Sequence, residues 1–255
     1  MTKSSPMKFS IIVPIFNEER TVVILFEAIQ KTMDRLDKNY EVIFVNDAST
    51  DHSWDLMRHL AETSPKFVAV DLAGHLGKSA AMQAGFDEAR GEFIITMDGD
   101  LQNDPADIPK LFDKLREGYD VVCGWRRVRS DTYKKKIASL VAGSFRKMIT
   151  GESLHDVGCP FRIFKRSALE HVYLSGGLHR LFALIMKKSG RHIVEVEVRD
   201  HPRLFGRTKF KDRARIVEGV RDLLRLSFFD IQKLMKRNSD ILIKRILKSA
   251  PSNNL

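Results

Sequence analysis

At 255 residues, with 43% hydrophobic and 30% charged side chains, the chain has a globular composition and length enough for a substantial core. Two cysteines exclude a disulfide framework, and no run approaches the roughly 20 apolar residues that a membrane-spanning helix needs. The net charge of +10 is uneven: residues 191–255 carry 16 Lys/Arg against 8 Asp/Glu, and Arg126, Arg127, Arg129, Lys134, Lys135 and Lys136 face only Asp131. Clusters of this kind favour a polyanionic partner, either nucleic acid or an anionic membrane surface. With no apolar leader after Met1 and few cysteines, the expected setting is cytoplasmic.

The first half alternates short apolar runs with amphipathic stretches. Strands are predicted over residues 9–15, 40–45, 67–72, 92–97 and 119–123, and helices over 18–36, 51–61, 79–89 and 106–116. In the first helix Val22, Leu25, Phe26, Ile29 and Met33 recur at helical spacing. Strands separated by helices predict an α/β fold, a mostly parallel sheet covered on both faces. Further on, residues 133–149 and 178–189 read as helical, 161–164 and 192–198 as extended, and 203–209 as a polar loop. From Lys211 to Leu247 the pattern is helical, basic and amphipathic, interrupted near residues 227–230 and 237–240. The expected division is a catalytic domain over residues 7–210 and an amphipathic helical extension over 211–255.

The most informative stretch is Asp98-Gly99-Asp100-Leu101-Gln102, which ends an apolar run. In a strand, residues i and i+2 share a side, so Asp98 and Asp100 are expected to converge, with Gly99 leaving room for a bulky anion. Two hard oxygen donors beside open space suit Mg²⁺ or Mn²⁺ shared with a substrate diphosphate; a plain solvated turn fits the same residues. Ligands in parallel sheets sit beyond the strands' carboxyl ends, which puts Asn17, Asp47 and the Asp98–Gln102 segment along one crevice. Asn17 can also cap the following helix, and Asp51 or Ser49 the next. Gly77-Lys78-Ser79 has the ending of a phosphate loop, but Leu72 stands where that pattern needs glycine, so a helix start facing an anion is expected instead.

Taken in order, these segments resemble glycosyltransferase family 2, and within it the polyprenyl-phosphate (dolichyl-phosphate or undecaprenyl-phosphate) sugar synthases. The narrower resemblance rests on Asp98 to Pro105, Gly124-Trp125-Arg126, Asp156 to Arg162, Leu178-His179-Arg180 and Arg203 to Lys209. It implies a GT-A type sheet and an inverting transfer of one sugar from a UDP- or GDP-linked donor to a lipid monophosphate. Carried onto this chain, Pro14, Asn17, Glu18, Asp47, Lys78 and Asp98 would hold the nucleotide sugar. Asp98, Asp100 and Gln102 would hold the metal, and Arg126, Lys135, Ser139, Arg203 and Lys209 the acceptor phosphate. Asp98, Asp100 and Arg126 form the expected catalytic set. Asn46, Trp125 and Cys159-Pro160 depart from the residues usual in that branch: an acid, a small hydroxyl residue and Ser-Gly.

A phosphate monoester has its second pKa near ~6, so the acceptor is already a nucleophile and needs cations beside it more than it needs a base. The basic clusters fit that need. The apolar set Ile216, Val217, Val220, Leu223, Leu224, Phe228, Phe229, Ile231, Leu234 and Met235, interspersed with cations, suits a helix in the headgroup plane at the inner membrane face; packing on the domain or in a homo-oligomer fits equally. Two other readings are a transferase acting on a saccharide hydroxyl and a non-catalytic sugar-nucleotide-binding protein. No nucleic-acid readout module is recognisable.

Overall fold

The computed structural model describes residues 7–127, 154–205 and 243–248. Eight strands form one sheet: β1 (Phe9–Ile15), β2 (Tyr40–Asn46), β3 (Phe67–Leu72), β4 (Phe93–Thr96), β5 (Val121–Trp125), β6 (Arg162–Lys165), β7 (Ile193–Glu197) and β8 (Ile243–Lys248). Their spatial order is β7-β5-β6-β4-β1-β2-β3-β8. The centre, β4-β1-β2-β3, is parallel, as is the β5–β7 pair. β6 runs antiparallel to both β4 and β5, and β8 antiparallel to β3.

Helices cover both faces, and for that reason β2 and β3 are buried along their whole length instead of alternating with polar residues. On one face α1 (Val22–Leu36), α2 (Ser53–Thr63) and α4 (Ile108–Arg116) pack on Ile11, Val13, Phe44 and Phe67. On the other, α3 (Lys78–Glu88) and α5 (Phe182–Lys188) pack on Ile12, Ile43, Val45 and Val70. α3 lies so close to the sheet that a Cβ on Gly85 would sit 2.4 Å from Ile12 Cγ2. That contact fixes where the start of α3, with Lys78, stands above the strand ends. Cys123 and Cys159 are both buried, which pushes their thiols up to about 12 and about 11 and leaves neither reactive.

At the opposite end of the strands a buried carboxylate pins three segments. Glu41 accepts from Ser10 Oγ at 2.7 Å, from the Arg90 amide at 2.8 Å and from Arg90 Nε and Nη2 at 2.9 and 2.6 Å. Glu41→Ala leaves those donors without an acceptor in the core. The expected loss is about 2–3 kcal/mol, because the Arg90 end stays half in solvent, and urea denaturation measures it.

One expectation fails outright. Residues 243–248, read as helical, form β8 and pair from Val68↔Lys248 to Leu72↔Ile243. Ile243, Ile246 and Leu247 satisfy a helical spacing, but the unpaired edge of β3 offers backbone partners that local sequence does not reveal. The rest of the expected extension, and the helix expected over residues 133–149, lie outside the described residues. Among the described residues no helix is long and apolar enough to cross a membrane.

Candidate functional site

β1 pairs in parallel with both β2 and β4, so the segments after these three strands meet at one end of the sheet. The first two are laced together. The Asn17 amide donates to Ser49 Oγ at 2.9 Å, Asn17 Oδ1 accepts from the Thr50 amide at 2.7 Å, and the Glu18 amide donates to Ser53 Oγ at 2.8 Å. Asn17 and Ala48 take positive φ, 52° and 56°, to make these turns. Asn17 is therefore not the helix cap expected from its position: α1 begins five residues later, at Val22. Asp51 does serve the next helix, since its Oδ1 accepts from the Ser53 amide at 3.0 Å.

Asp47 is almost fully buried. Its Oδ1 accepts from the amides of Leu76 (2.7 Å) and Gly77 (3.0 Å), and His75 Nδ1 stands 3.0 Å from Oδ2. Burial raises its pKa, against the lowering pull of the Leu76 amide and His75. The helix start at Gly77-Lys78 thus faces an anion as expected, but that anion is the protein's own carboxylate. His75 in turn stacks on Phe16, ring centroids 4.2 Å apart.

β4 stops at Thr96, and Asp98 and Asp100 lie in the turn beyond it, not in a strand. What brings them together is the turn itself. Leu101 takes φ 62°, the Asp98 amide donates to Asn103 Oδ1 at 3.2 Å, and the Gln102 amide donates to Asp100 Oδ1 at 3.2 Å. Gly99 has a reason other than room for an anion: a Cβ there would sit 2.7 Å from Ile15 Cδ1. Gly99→Ala should cost about 1–3 kcal/mol by overpacking. Adding Ile15→Val removes the offending methyl, and thermal melts should show most of the loss recovered.

Two cations meet the acidic pair. Lys78 Nζ bonds Asp98 Oδ1, while Arg203 Nη2 reaches Glu18 Oε1 at 2.9 Å and Asp100 Oδ2 at 3.4 Å. Even so, burial, then the neighbouring Asp98, push Asp100 up to about 6, with Arg203, the Gln102 amide and Lys78 pulling the other way. Gln102 turns elsewhere: its Nε2 donates to the His201 carbonyl at 3.3 Å and its own carbonyl accepts from the His201 amide at 2.9 Å.

Arg126, one residue past β5, is held by Asp156. Its Nε donates to Asp156 Oδ2 at 2.7 Å and its Nη2 to Oδ1 at 3.1 Å. Burial alone would lower its pKa, but the Asp156 carboxylate outweighs that and holds it above the usual arginine value. Lys135, Ser139 and Lys209 lie outside the described residues. Sequence reasoning gave no role to Asp156, to Glu195 or to the Ser79–His179 contact, where Ser79 Oγ and His179 Nδ1 stand 2.8 Å apart. Each joins segments at least 30 residues apart, which no local pattern signals. Arg162 did leave a mark, a lone cation in the apolar run Phe161 to Phe164. It is fully buried and donates to the carbonyls of Val157 (3.1 Å) and His179 (3.5 Å).

Asp98 and Asp100 fit a hard divalent cation. They share one turn, and Asp100 is held up to about 6 first by burial and then by the charge of Asp98, so a cation bound beside the pair would favour the ionised form. Among the described residues no group of three or more His, Cys, Asp or Glu side chains could hold a metal by itself. Any ion here would need oxygens from a ligand, as Mg²⁺ commonly does.

The family model for glycosyl transferase family 2 matches residues 10–173. The dodecaprenyl-phosphate galacturonate synthase of Rhizobium johnstonii is 38% identical over 230 residues, 88% of this chain and 67% of that protein. The undecaprenyl-phosphate 4-deoxy-4-formamido-L-arabinose transferase of Aeromonas hydrophila is 34% identical over 202 residues, 79% of this chain and 62% of that protein. The chain thus spans about two thirds or less of the length of these curated relatives. Among solved structures, glucosyl-3-phosphoglycerate synthase from Mycobacterium tuberculosis, in complex with Mn²⁺, UDP and phosphoglyceric acid, aligns with TM-score 0.65 and 20% identity. That alignment covers 86% of this chain and 77% of the other, and the likeness is one of fold, the GT-A type.

Proposed function

Because the chain belongs to glycosyl transferase family 2, we propose that it moves one sugar from a nucleoside-diphosphate sugar to a polyprenyl phosphate, with inversion at the anomeric carbon. The observation that carries the reading is the paired Asp98/Asp100 turn with Lys78 and Arg203 against it, at the ends of the central parallel strands. The named substrates of the two curated relatives, both polyprenyl phosphates, support the acceptor class.

The nucleoside lies over the laced β1 and β2 turns, where Pro14, Asn17, Glu18 and Asp47 stand. Asp98 and Asp100, with Gln102 in the same turn, would hold Mg²⁺ or Mn²⁺, and the ion would supply positive charge to the leaving diphosphate. Lys78 neutralises part of the charge that develops there, and Arg203, expected at the acceptor phosphate, joins it because it stands beside Glu18 and Asp100. The acceptor needs no base, since its phosphate is mostly dianionic at neutral pH. It needs cations that overcome repulsion from the donor, and Arg126 serves that end of the site, with Lys135, Ser139 and Lys209 assigned to the same task. The oxygen that attacks must approach the sugar from the side opposite the diphosphate, which gives inversion in a single displacement. The catalytic unit is assigned to residues 7–210 together with β8. The remainder of 211–255 is assigned to contact with the inner face of the membrane or with another copy of the chain.

The test is to incubate the chain with Mn²⁺ or Mg²⁺, a short polyprenyl phosphate and a panel of UDP- and GDP-sugars, and to weigh the lipid. A glycosylated lipid phosphate is the expected product. Sugar appearing on a free saccharide, or no transfer with any donor, would sink the proposal.

A further inference from the structure

Arg126 is held more elaborately than burial requires. Asp156 binds it through two parallel bonds along one edge of the guanidinium. A guanidinium has five N–H donors in a rigid plane, so this fork leaves three on its other edges and fixes their direction. Asp156 is itself held. Its amide donates to Glu195 Oε1 at 2.7 Å, and its carbonyl accepts from the Cys159 amide at 3.0 Å. The other Glu195 oxygen accepts from the His155 amide at 2.7 Å and stands 2.9 Å from His155 Nδ1. The His155 ring stacks on Trp125, centroids 4.4 Å apart, next to Arg126 in the chain.

Glu195 sits within β7 opposite Cys123 of β5, so this second carboxylate is fixed by the sheet. Both acid side chains are nearly buried, at 7% exposure for Asp156 and 8% for Glu195. One acid would be enough to neutralise Arg126. The second is used on the loop that carries the first, where it accepts from the His155 and Asp156 amides. Burying two carboxylates on adjoining segments is costly unless each is fully bonded, and an arrangement that orients one cation accounts for both.

We propose that Asp156 is a positioning residue that aims Arg126 at the acceptor phosphate, and that Glu195 fixes Asp156 by holding the 155–156 amides. The inference rests on the acceptor reading of Arg126 given above. A phosphate bound by the remaining N–H groups meets a guanidinium whose plane is already set, so little of the binding energy is spent on ordering a flexible side chain. Lysine at 126 would lack the fork and could not be aimed this way.

The test uses the full chain and farnesyl phosphate as probe, with binding followed by calorimetry and UDP with Mn²⁺ titrated in parallel. Arg126→Ala should weaken farnesyl phosphate at least 30-fold. Asp156→Asn, which keeps the size but breaks the fork, should weaken it about 10-fold or more, and Glu195→Gln should act in the same direction. UDP binding should stay within twofold in all three, which a general loss of structure would not allow. The double variant Arg126→Ala/Asp156→Asn should bind farnesyl phosphate no worse than Arg126→Ala alone, because Asp156 acts only through the arginine. If the single losses multiply in the double variant, or if both acid variants bind the probe normally while Arg126→Ala does not, the positioning role is wrong and the acceptor reading survives. Should Arg126→Ala bind as the unaltered chain does, or should the unaltered chain not bind the probe, both are wrong.

Discussion

Asp98→Asn and Asp100→Asn should each lower sugar transfer on the order of 10³-fold, the scale expected when preorganised charge at a developing anion is removed. Both substitutions keep the side-chain volume, so the loss would be one of charge. Calorimetry with Mn²⁺ in the presence of UDP should show the ion's affinity falling in parallel. Stability should move the other way for Asp100→Asn. Burial and Asp98 push the Asp100 carboxyl up to about 6, so the ionised form is a liability of the folded state near neutral pH. A neutral amide removes that liability, and the melting temperature should rise at pH 7.5 although activity is lost. A variant that is both less stable and inactive would mean that the carboxylate holds the turn together. The proposed chemistry would then have no claim on it.

Metal affinity should depend steeply on pH below neutrality. With the acidic pair taking up a proton at about 6, a divalent cation must displace that proton to bind at lower pH. The apparent Mn²⁺ dissociation constant should therefore be flat above about pH 7 and rise roughly tenfold per unit below about 6. Folding carries the complementary signature. The native carboxyl holds its proton more tightly than the unfolded one, whose pKa is 3.8, so its contribution to stability is present at low pH and is lost as pH rises from about 4 through 6. Added Mn²⁺ should raise the melting temperature more at pH 7.5 than at pH 5. An equal shift at both values would place the ion elsewhere.

Much of the fold was legible because the central strands are buried on both sides. An unbroken apolar run such as Val42 to Val45 has few alternatives once helices flank it. The polar strand ends were legible for the same reason, since parallel topology sends them to one side. What failed was the inference from local geometry to purpose. Asp98 and Asp100 lie close enough for the charge of one to act on the other, but in a turn with Leu101 at positive φ instead of a strand, and Gly99 is small because Ile15 lies against it. Asn17 looked like a cap and proves to be a tie between two loops. The partner of Arg126 comes 30 residues later and the anchor of that partner comes from another strand, so nothing local to Arg126 signals either of them. β8 was missed because its partner strand lies far back in the chain, and Ile243, Ile246 and Leu247 carry a spacing that serves a helix equally well.

That last strand has a practical consequence for anyone who shortens the protein. β3 is apolar, buried throughout and hydrogen-bonded to β8 along its outer side. A version ended before Ile243 would present that row of amides and carbonyls to water on a strand with no charged guard except Asp71. Ending the chain just before Ile243, though it spares Asp98, Asp100, Arg126 and Arg203, should yield a sticky ribbon that gathers into aggregates on purification.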